Sequence, residues 1–298
     1  MKILVTGANG FLGFNLLKEL LHNGFEVYAL ARSPIDFFHP KLNVVLCDLI
    51  NINSTLKGVA IDVIFHTASR INFDETPRSI SILTRDNIIA TSILADFANN
   101  NGVSKFIHSS SCSVYDDNFN KNNFISEEQT LRPKNSYAVS KLSSEWILGN
   151  RLIGSVKELI VLRYSSIYGL GQKPNSILPI FIDKASKNID LNLFGSGNRV
   201  QDYVHINSVV EANLKCLDVI LPFHTILNIG SGQKITNLKL AEEIIDIWKS
   251  SSKINILNNK NKEIESYFTC DLIKAKELIC YEPLSLSEGL TLYKSVSK

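Results

Sequence analysis

The stretch Thr6-Gly7-Ala8-Asn9-Gly10-Phe11-Leu12-Gly13 decides how this chain folds. It follows a short run rich in β-branched residues at 3–6, and it opens a segment at 11–21 whose apolar residues recur at helical spacing. A strand, a glycine turn and a helix N-terminus in this order let the backbone approach a pyrophosphate closely. The sequence therefore predicts a dinucleotide site whose contacts are Gly7, Asn9, Gly10, Phe11, Leu12 and Gly13.

The strand and helix rhythm continues over the first 165 residues. Further short apolar runs begin near residues 25, 43, 61, 105 and 159, and helical stretches separate most of them. The longest predicted helices cover 77–100 and 136–152. Because strands that alternate with helices form parallel sheets covered on both faces, we predict an α/β fold.

The second half of the chain is organised differently. After Tyr168-Gly169-Leu170-Gly171 the alternation weakens, and Pro and Gly residues separate shorter elements. We predict a cofactor-binding domain over 1–165 and a mainly substrate-binding lobe over 166–298. Segments near 206–230 are expected to return to the main sheet.

Composition excludes several classes of protein. The chain has 298 residues, of which 45% are hydrophobic and 20% charged, with a net charge of +2. These values are typical of a soluble globular protein and indicate no basic surface for nucleic acid. No apolar run approaches the ~20 residues that span a bilayer, so no membrane partner is expected. The five cysteines include no C-x-x-C pair and the six histidines show no zinc spacing, so we predict a cytoplasmic protein with reduced thiols and no metal site.

The end of the second predicted strand indicates which cofactor is bound. NAD-binding folds place a carboxylate there for the adenosine ribose, but this chain has Ala31-Arg32-Ser33. Arginine can hold a 2′-phosphate through charge-assisted hydrogen bonds, so the sequence favours NADP over NAD. The alternative is that Arg32 stacks on adenine or faces solvent. Asp48, at the end of the third strand, is a candidate acceptor for the adenine amino group.

A second motif indicates the chemistry. Tyr137-Ala138-Val139-Ser140-Lys141 places a phenol and an ammonium group on one face of a predicted helix. The ordinary pKa of tyrosine is about 10, so a nearby cation is needed to favour its phenolate. Serines follow a predicted strand at 109–113, and Ser111 is a candidate to hydrogen-bond a substrate oxygen. This set predicts hydride chemistry at an alcohol or ketone.

These motifs resemble the extended short-chain dehydrogenase/reductases, the NAD-dependent epimerase/dehydratase family. The likeness includes the glycine loop, the serine run and the Y-x-x-x-K pair, together with Asp48, His66-Thr67-Ala68-Ser69, Asn87 and Arg163-Tyr164-Ser165-Ser166-Ile167-Tyr168-Gly169. It continues through 195–205, 228–232 and 271–278, so it covers nearly the whole chain.

The resemblance implies a Rossmann-type doubly wound parallel sheet with a smaller C-terminal lobe for a nucleotide-diphosphate sugar. It implies that Ser111, Tyr137 and Lys141 form the catalytic triad, that Lys141 also contacts the nicotinamide ribose, and that the long helices form a homodimer. Further cofactor contacts are expected from Leu49, Thr67, Ala68, Ser69, Asn87, Tyr164 and Ser166. Substrate contacts are expected from Ser113, Tyr115, Ser176, Arg199 and Gln201.

The chain departs from the family pattern at positions that bear on the reaction. Cys112-Ser113 stand where the 4,6-dehydratases have an acidic pair, so dehydration is disfavoured. Gln201 stands where many sugar-nucleotide epimerases have a diphosphate-binding arginine. A second such arginine, later in the family's sequence, has only Lys260 and Lys262 as candidate counterparts in this chain.

The cofactor decides between the remaining functions. A reductase consumes NADPH and exchanges it at each turnover. Because Ala31-Arg32 favours NADP, we predict reduction of a 4-keto sugar nucleotide with Tyr137 as the acid. One alternative is a UDP-glucose 4-epimerase-like enzyme that recycles NAD. The other is a non-catalytic NADP-sensing protein, which the retained triad disfavours. His66, His108 and His205 are predicted to be packing residues.

Overall fold

The computed structural model describes residues 1–116, 124–257 and 266–296, and its centre is a seven-stranded sheet. The strands are β1 (Lys2–Thr6), β2 (Glu26–Ala31), β3 (Leu42–Leu46), β4 (Val63–His66), β5 (Lys105–Ser111), β6 (Glu158–Tyr164), β7 (Ser166–Tyr168), β8 (Leu191–Phe194), β9 (Val200–Gln201), β10 (Tyr203–His205), β11 (Thr225–Ile229), β12 (Ile235–Thr236) and β13 (Ile254–Leu257). The helices are α1 (Phe11–His22), α2 (Ile52–Thr55), α3 (Pro77–Leu83), α4 (Ala90–Asn100), α5 (Ser136–Arg151), α6 (Ile177–Ser186), α7 (Ile206–Asp218), α8 (Asn237–Trp248), α9 (Ile273–Ile279) and α10 (Leu286–Val296), with 3-10 turns at Leu49–Asn51 and Cys112–Val114.

The central sheet has the order β11-β6-β5-β4-β1-β2-β3, and every neighbouring pair is parallel. Ile3, Leu4 and Val5 of β1 are fully buried because helices cover both faces of the sheet. The predicted Rossmann-type doubly wound α/β fold is therefore confirmed. Since the strands are parallel, their carboxyl ends meet at one edge, where Thr6 pairs with His66.

Two pairs of helices form the outer layers. The first helix, α1, buries Leu16, Leu17 and Leu20 at helical spacing and contacts α7 on one face of the sheet. On the other face, α4 contacts α5. The apolar side chains of alternate strand positions pack into these two layers, so the sheet edge above them is held rigidly.

The helical region 77–100 is interrupted at its centre. It begins at Pro77, where the Thr76 hydroxyl caps the helix by accepting from the Ser79 N–H. A π-helical segment, Thr84–Ile89, joins α3 to α4. The sequence predicted one uninterrupted helix, because the apolar positions on either side of the segment keep ordinary helical intervals. Such π segments are frequent at functional sites.

The remaining strands form three pairs outside the main sheet, β7 with β10, β8 with β13 and β9 with β12. Helices α6, α8 and α10 pack near them around a separate apolar core that includes Phe181, Leu193, Leu240 and Leu290. In contrast, β11 pairs with β6, and α7 contacts α1, so the segments near 206–230 lie with the main sheet. The division into two domains remains a prediction.

Within residues 1–116, 124–257 and 266–296, no helix combines the length and the hydropathy needed to cross a bilayer. In the same ranges, no group of three His, Cys, Asp or Glu side chains is arranged to hold a metal. All five cysteines are free thiols, and the sulfurs of Cys112 and Cys270 lie 3.6 Å apart in the core.

Candidate active site

The glycine loop forms a cradle in which two glycines leave no room for a side chain. Gly7 has a φ of +68°, and a Cβ there would lie 2.7 Å from the Ala68 Cα. A Cβ on Gly13 would overlap the carbonyl oxygen of Gly7. The loop therefore passes close to the end of β4, and α1 begins after Gly10 with its N-terminal N–H groups facing the loop.

Hydrogen bonds fix this loop between three strand ends. The Thr67 hydroxyl donates to the Thr6 carbonyl over 2.6 Å, and the Ala68 N–H donates to the Thr6 hydroxyl over 3.2 Å. The Asn9 amide donates to the Ser33 hydroxyl over 2.6 Å. Above them lies an open cleft, which is lined by the predicted cofactor residues Gly7, Asn9, Gly10, Arg32, Asp48, Leu49, Thr67, Ala68 and Ser69. A cradle without side chains beside a helix N-terminus fits the pyrophosphate of a nicotinamide dinucleotide.

At one end of the cleft, Arg32, Arg70 and Arg85 surround Asp86, and we call these three arginines the arginine cluster. Asp86 Oδ2 accepts from Arg32 Nη1 (3.1 Å) and Arg70 Nε (2.8 Å), and Oδ1 accepts from Arg85 Nη1 (2.7 Å). Burial by itself would raise the pKa of Asp86, but the hydrogen bonds and charges of Arg70 and Arg32 outweigh it and hold that pKa below its usual value. Asp48 Oδ2 accepts from Arg85 Nη2 over 2.6 Å, so its predicted adenine contact would share the carboxylate with Arg85.

The structure brings the three predicted catalytic residues together at the same carboxyl edge of the sheet, on the other side of β4 from Arg32. Asn135 caps α5 by accepting from the Ala138 N–H, which starts the helix that carries Tyr137 and Lys141. The Tyr137 hydroxyl is hydrogen-bonded to Ser111, and Lys141 Nζ donates to the Ser109 carbonyl over 2.6 Å. Tyr137 and Lys141 are buried, and Ser111 is half-buried.

Burial changes the acidity of both ionisable members of the triad. It raises the pKa of Tyr137 to about 12, although the hydrogen bond from Ser111 opposes the rise. It lowers the pKa of Lys141 to about 8, and the negative charge of Glu145 opposes that fall. The phenol is therefore a proton donor at neutral pH, and the lysine beside it is still mostly charged.

Ser113 orients the catalytic hydroxyl. Its N–H and its hydroxyl both donate to Ser111 Oγ, over 3.2 and 2.9 Å. The hydrogen of the Ser111 hydroxyl is thereby directed away from Ser113. The predicted substrate residue Ser113 thus lies beside the triad.

Asn87 connects the cleft to the catalytic helix. Its Oδ1 accepts from the Arg70 N–H (2.7 Å), and its Nδ2 donates to the Arg70 carbonyl (3.0 Å) and the Ser140 hydroxyl (2.9 Å). Asn87 lies in the π segment and is buried. Its side chain therefore positions the loop after β4, while its predicted contact with the cofactor stays a prediction.

Behind the triad, a buried ion pair joins α5 to β6. Arg163 donates to Glu145 from Nη2 (2.7 Å) and Nε (3.1 Å), and Ser110 Oγ also donates to Glu145. Arg163 Nη1 donates to the Tyr115 hydroxyl, which donates to Asn228 Oδ1. The Tyr115 ring is buried and its hydroxyl is bonded inside the core by this network, and its contact with the substrate stays a prediction.

Other predicted cofactor residues are not part of the cleft lining. The Tyr164 hydroxyl is bonded to Asn213 of α7, which holds the side chain in the core, and the cofactor contact of Tyr164 stays a prediction. Phe11, Leu12 and Gly13 belong to the first turn of α1, and Ser166 is exposed at the start of β7.

The predicted substrate residues of the second half include a side-chain pair. With its amide oxygen facing the guanidinium, Gln201 accepts from Arg199 Nε and Nη2 over 3.0 and 2.9 Å. Ser176 is exposed just before α6. Lys260 and Lys262 lie outside the described residues. Substrate contacts from Arg199, Gln201 and Ser176 remain predictions.

The packing predicted for His66 and His205 agrees with their contacts. His66 is bonded to the hydroxyls of Thr6 and Thr91, each over 2.8 Å, and burial lowers its pKa to about 3. His205 Nδ1 caps α7 by accepting from the Asn207 N–H. Both rings therefore support the fold.

Sequence reasoning missed Phe73 and three residues at the end of the cleft that holds the arginine cluster, namely Arg70, Arg85 and Asp86. Phe73 is exposed in the loop after β4, and its ring meets the Tyr137 ring edge-on with 5.7 Å between centroids. For residues 85 and 86, the only sequence signal is a pair of opposite charges, Arg85-Asp86, next to the family residue Asn87. The others approach the site through tertiary packing that no local pattern signals.

Comparisons with known proteins place the chain in a family. The model of the NAD dependent epimerase/dehydratase family matches residues 3–230. An uncharacterized UDP-glucose epimerase of Bacillus subtilis is 29% identical over 312 residues, covering 98% of this chain and 96% of that protein. The solved UDP-glucose 4-epimerase of Thermotoga maritima with UDP-glucose is 25% identical, covers 100% of both chains and has a TM-score of 0.89. The solved UDP-glucuronic acid 4-epimerase of Bacillus cereus with NAD is 26% identical, again over 100% of both chains, with a TM-score of 0.84. Matching the family from its glycine loop to the end of the central sheet, this chain belongs to the NAD dependent epimerase/dehydratase family.

Proposed function

We propose that this chain reduces the keto group of a 4-keto sugar carried on a nucleoside diphosphate, with NADPH as the reductant. Family membership supports a nicotinamide dinucleotide, and the solved relatives bound to UDP-glucose and to NAD support a UDP-sugar substrate. The choice of reduction is carried by Arg32, which lines the cleft at the end of β2, where NAD-binding folds have a carboxylate. A 2′-phosphate favours arginine at that position.

The residues of the chain carry out the proton transfer of this reaction. The cofactor, when bound, supplies the hydride. Tyr137 Oη gives its proton to the carbonyl oxygen, and Ser111 Oγ hydrogen-bonds the same oxygen and orients it. Lys141, one helical turn after Tyr137, stabilises the phenolate that remains. Tyr137 is then reprotonated from solvent before the next turnover.

Oxidation of NADPH in the presence of UDP-4-keto-6-deoxyglucose tests this function. We expect NADPH and the keto sugar to be lost in equimolar amounts. The absorbance of the reduced nicotinamide measures the loss of NADPH. Tyr137→Phe is expected to lower kcat by about 10²–10⁴-fold, which is the usual contribution of general acid catalysis. Tyr28→Phe, which removes a hydroxyl bonded to Glu26 on β2, is the matched control. Equal rates for wild type and Tyr137→Phe would contradict the role given to Tyr137, and they would favour the non-catalytic alternative if both rates were zero.

A second candidate is a UDP-sugar 4-epimerase that recycles its NAD. The observation that favours it is the full-length likeness to the solved 4-epimerases. Conversion of UDP-glucose to UDP-galactose without net loss of NADPH would favour the epimerase over the reductase. NAD retained through purification would support the same conclusion, whereas exchangeable NADP would support the reductase.

We also propose that the chain forms a homodimer through α3, α4 and α5 and acts in the cytoplasm. Helix α3 exposes Ile80, α5 exposes Val139 and Trp146, and Ile89 is exposed in the π segment that leads into α4. Exposed apolar clusters on adjacent helices are typical of subunit interfaces. Light scattering should give twice the mass of 33.3 kDa for the wild type and a smaller average mass for Trp146→Glu.

A further inference from the structure

Arg70 and Arg32 reach the same atom from different parts of the chain. Arg32 follows β2 and Arg70 lies in the loop after β4, yet both donate to Asp86 Oδ2, over 3.1 and 2.8 Å. Both residues line the cleft, as Asp86 does. Two guanidinium groups are thus gathered at the adenosine end within reach of one oxygen atom.

The charge balance at this end favours an anionic ligand. Three guanidinium groups, those of the arginine cluster, face two carboxylates, Asp48 and Asp86, which leaves a net charge of +1. Both oxygens of Asp86 already accept hydrogen bonds from arginines. A neutral ribose hydroxyl would have to compete for these acceptors, whereas a phosphate would find cations with further N–H donors.

The backbone of Arg70 is held in place. Asn87 accepts from its N–H and donates to its carbonyl, so one buried amide fixes both polar groups of the residue. A side chain that starts from a fixed backbone loses less freedom when it binds a ligand. Arg70 is therefore better prepared for recognition than an arginine on a free loop.

We propose that Arg70 is the second cation, with Arg32, of a subsite for the 2′-phosphate of an adenosine dinucleotide, and that it sets the preference for NADP over NAD. This inference rests on the proposed function, because it presumes that the cleft takes NADP. Asp86 holds the two guanidinium groups together until the phosphate binds between them. Arg85 shares the other oxygen of Asp86 and links it to Asp48.

Binding of small adenosine phosphates tests the subsite without any substrate. Calorimetry would compare adenosine 2′,5′-bisphosphate with adenosine 3′,5′-bisphosphate, which has the same charge, and with 5′-AMP, which lacks the second phosphate. We expect the wild type to bind the 2′,5′-isomer at least about tenfold more tightly than the other two ligands. Arg70→Gln should lose about tenfold in affinity for the 2′,5′-isomer and leave that for 5′-AMP unchanged, and Arg70→Lys should fall between.

The control is Arg151→Gln, since Arg151 is an arginine of similar exposure that pairs with Asp96 elsewhere on the surface. It should bind all three ligands like the wild type. If Arg32→Gln removes the 2′-preference while Arg70→Gln keeps it, the role of Arg70 is wrong but the proposed cofactor stands. If the wild type itself binds the three ligands equally, both the proposed cofactor and the subsite are wrong.

Discussion

The two ends of the site both pair arginine with carboxylate, but they differ in how far solvent reaches the pairs. Behind the triad, Arg163 and Glu145 are each only 2% exposed. At the open end of the cleft, the three arginines of the arginine cluster are 57%, 37% and 45% exposed, although the Asp86 that they share is 8% exposed. The first pair is sealed in the core, and the second group opens on the cleft.

This difference indicates two uses of the same chemistry. A sealed pair is costly to break, because removing one partner leaves an uncompensated buried charge. The pair behind the triad therefore fixes α5 against β6 and keeps a negative charge near Lys141. An open group has partners that a ligand can replace at little cost, since water screens each pair. The arginine cluster is suited to binding an anion.

The largest effect should come from breaking the sealed pair. Glu145→Ala is expected to lower the free energy of unfolding by about 3–5 kcal/mol, because Arg163 would stay buried without its carboxylate. Urea unfolding would measure it. In the double variant Glu145→Ala/Arg163→Ala, the loss should be smaller than the sum of the two single losses, as for residues in direct contact. A loss below about 1 kcal/mol for Glu145→Ala would mean that the pair behaves like an exposed one.

A somewhat smaller effect should appear as a pH dependence at the sealed end. The pKa of Lys141 falls from 10.5 to about 8 on folding because the group is buried, so between these pH values the unfolded chain binds more protons than the folded one. The contribution of Lys141 to the free energy of unfolding should therefore rise, by about 3 kcal/mol at most, as the pH increases through this window.

Lys141→Met removes the titrating group, so the stability of the wild type relative to Lys141→Met should increase by that amount across the window. Chemical unfolding at a series of pH values would measure both proteins, and the exposed Lys157→Met serves as a control that should follow the wild type. Parallel pH curves for wild type and Lys141→Met would show that burial does not disfavour the charged lysine.

The smallest effect is expected at the open end. Arg85→Gln breaks exposed contacts with Asp48 and Asp86, so the free energy of unfolding should change by less than about 1 kcal/mol. Added salt should reduce the change further, since it screens exposed charges. Thermal unfolding at low and high salt would measure it. A loss of several kcal/mol that does not depend on salt would show that the contacts of Arg85 behave like the buried Arg163–Glu145 pair.

Sequence could predict those parts of the site that lie within one element or at its end. The glycine loop joins β1 to α1, and Tyr137 and Lys141 are one turn apart on α5, so local spacing was enough to predict them. Ser111 was predictable because it ends β5. The shared parallel edge then brought these local units together, as the α/β pattern predicted.

Parts of the site that depend on contacts between distant segments could not be predicted from the sequence. Arg32 and Asp86 are 54 residues apart, and no local sequence pattern indicates that their side chains are in contact. Tyr115 follows the serine run closely, but a sequence cannot show whether a ring at such a place turns to the cleft or to the core. Here the buried Arg163 decides, because its guanidinium needs the hydroxyl as a partner.

Asn87 has a consequence for how the enzyme responds to its ligands. It holds Arg70 on one side and Ser140, the neighbour of Lys141, on the other. A ligand that restrains Arg70 also restrains the start of the catalytic helix, so we expect the two halves of the site to be thermodynamically coupled. Because such coupling is reciprocal, a sugar nucleotide that steadies the catalytic helix must strengthen cofactor binding by the same factor. Cofactor and substrate would then bind cooperatively without any large movement of the fold.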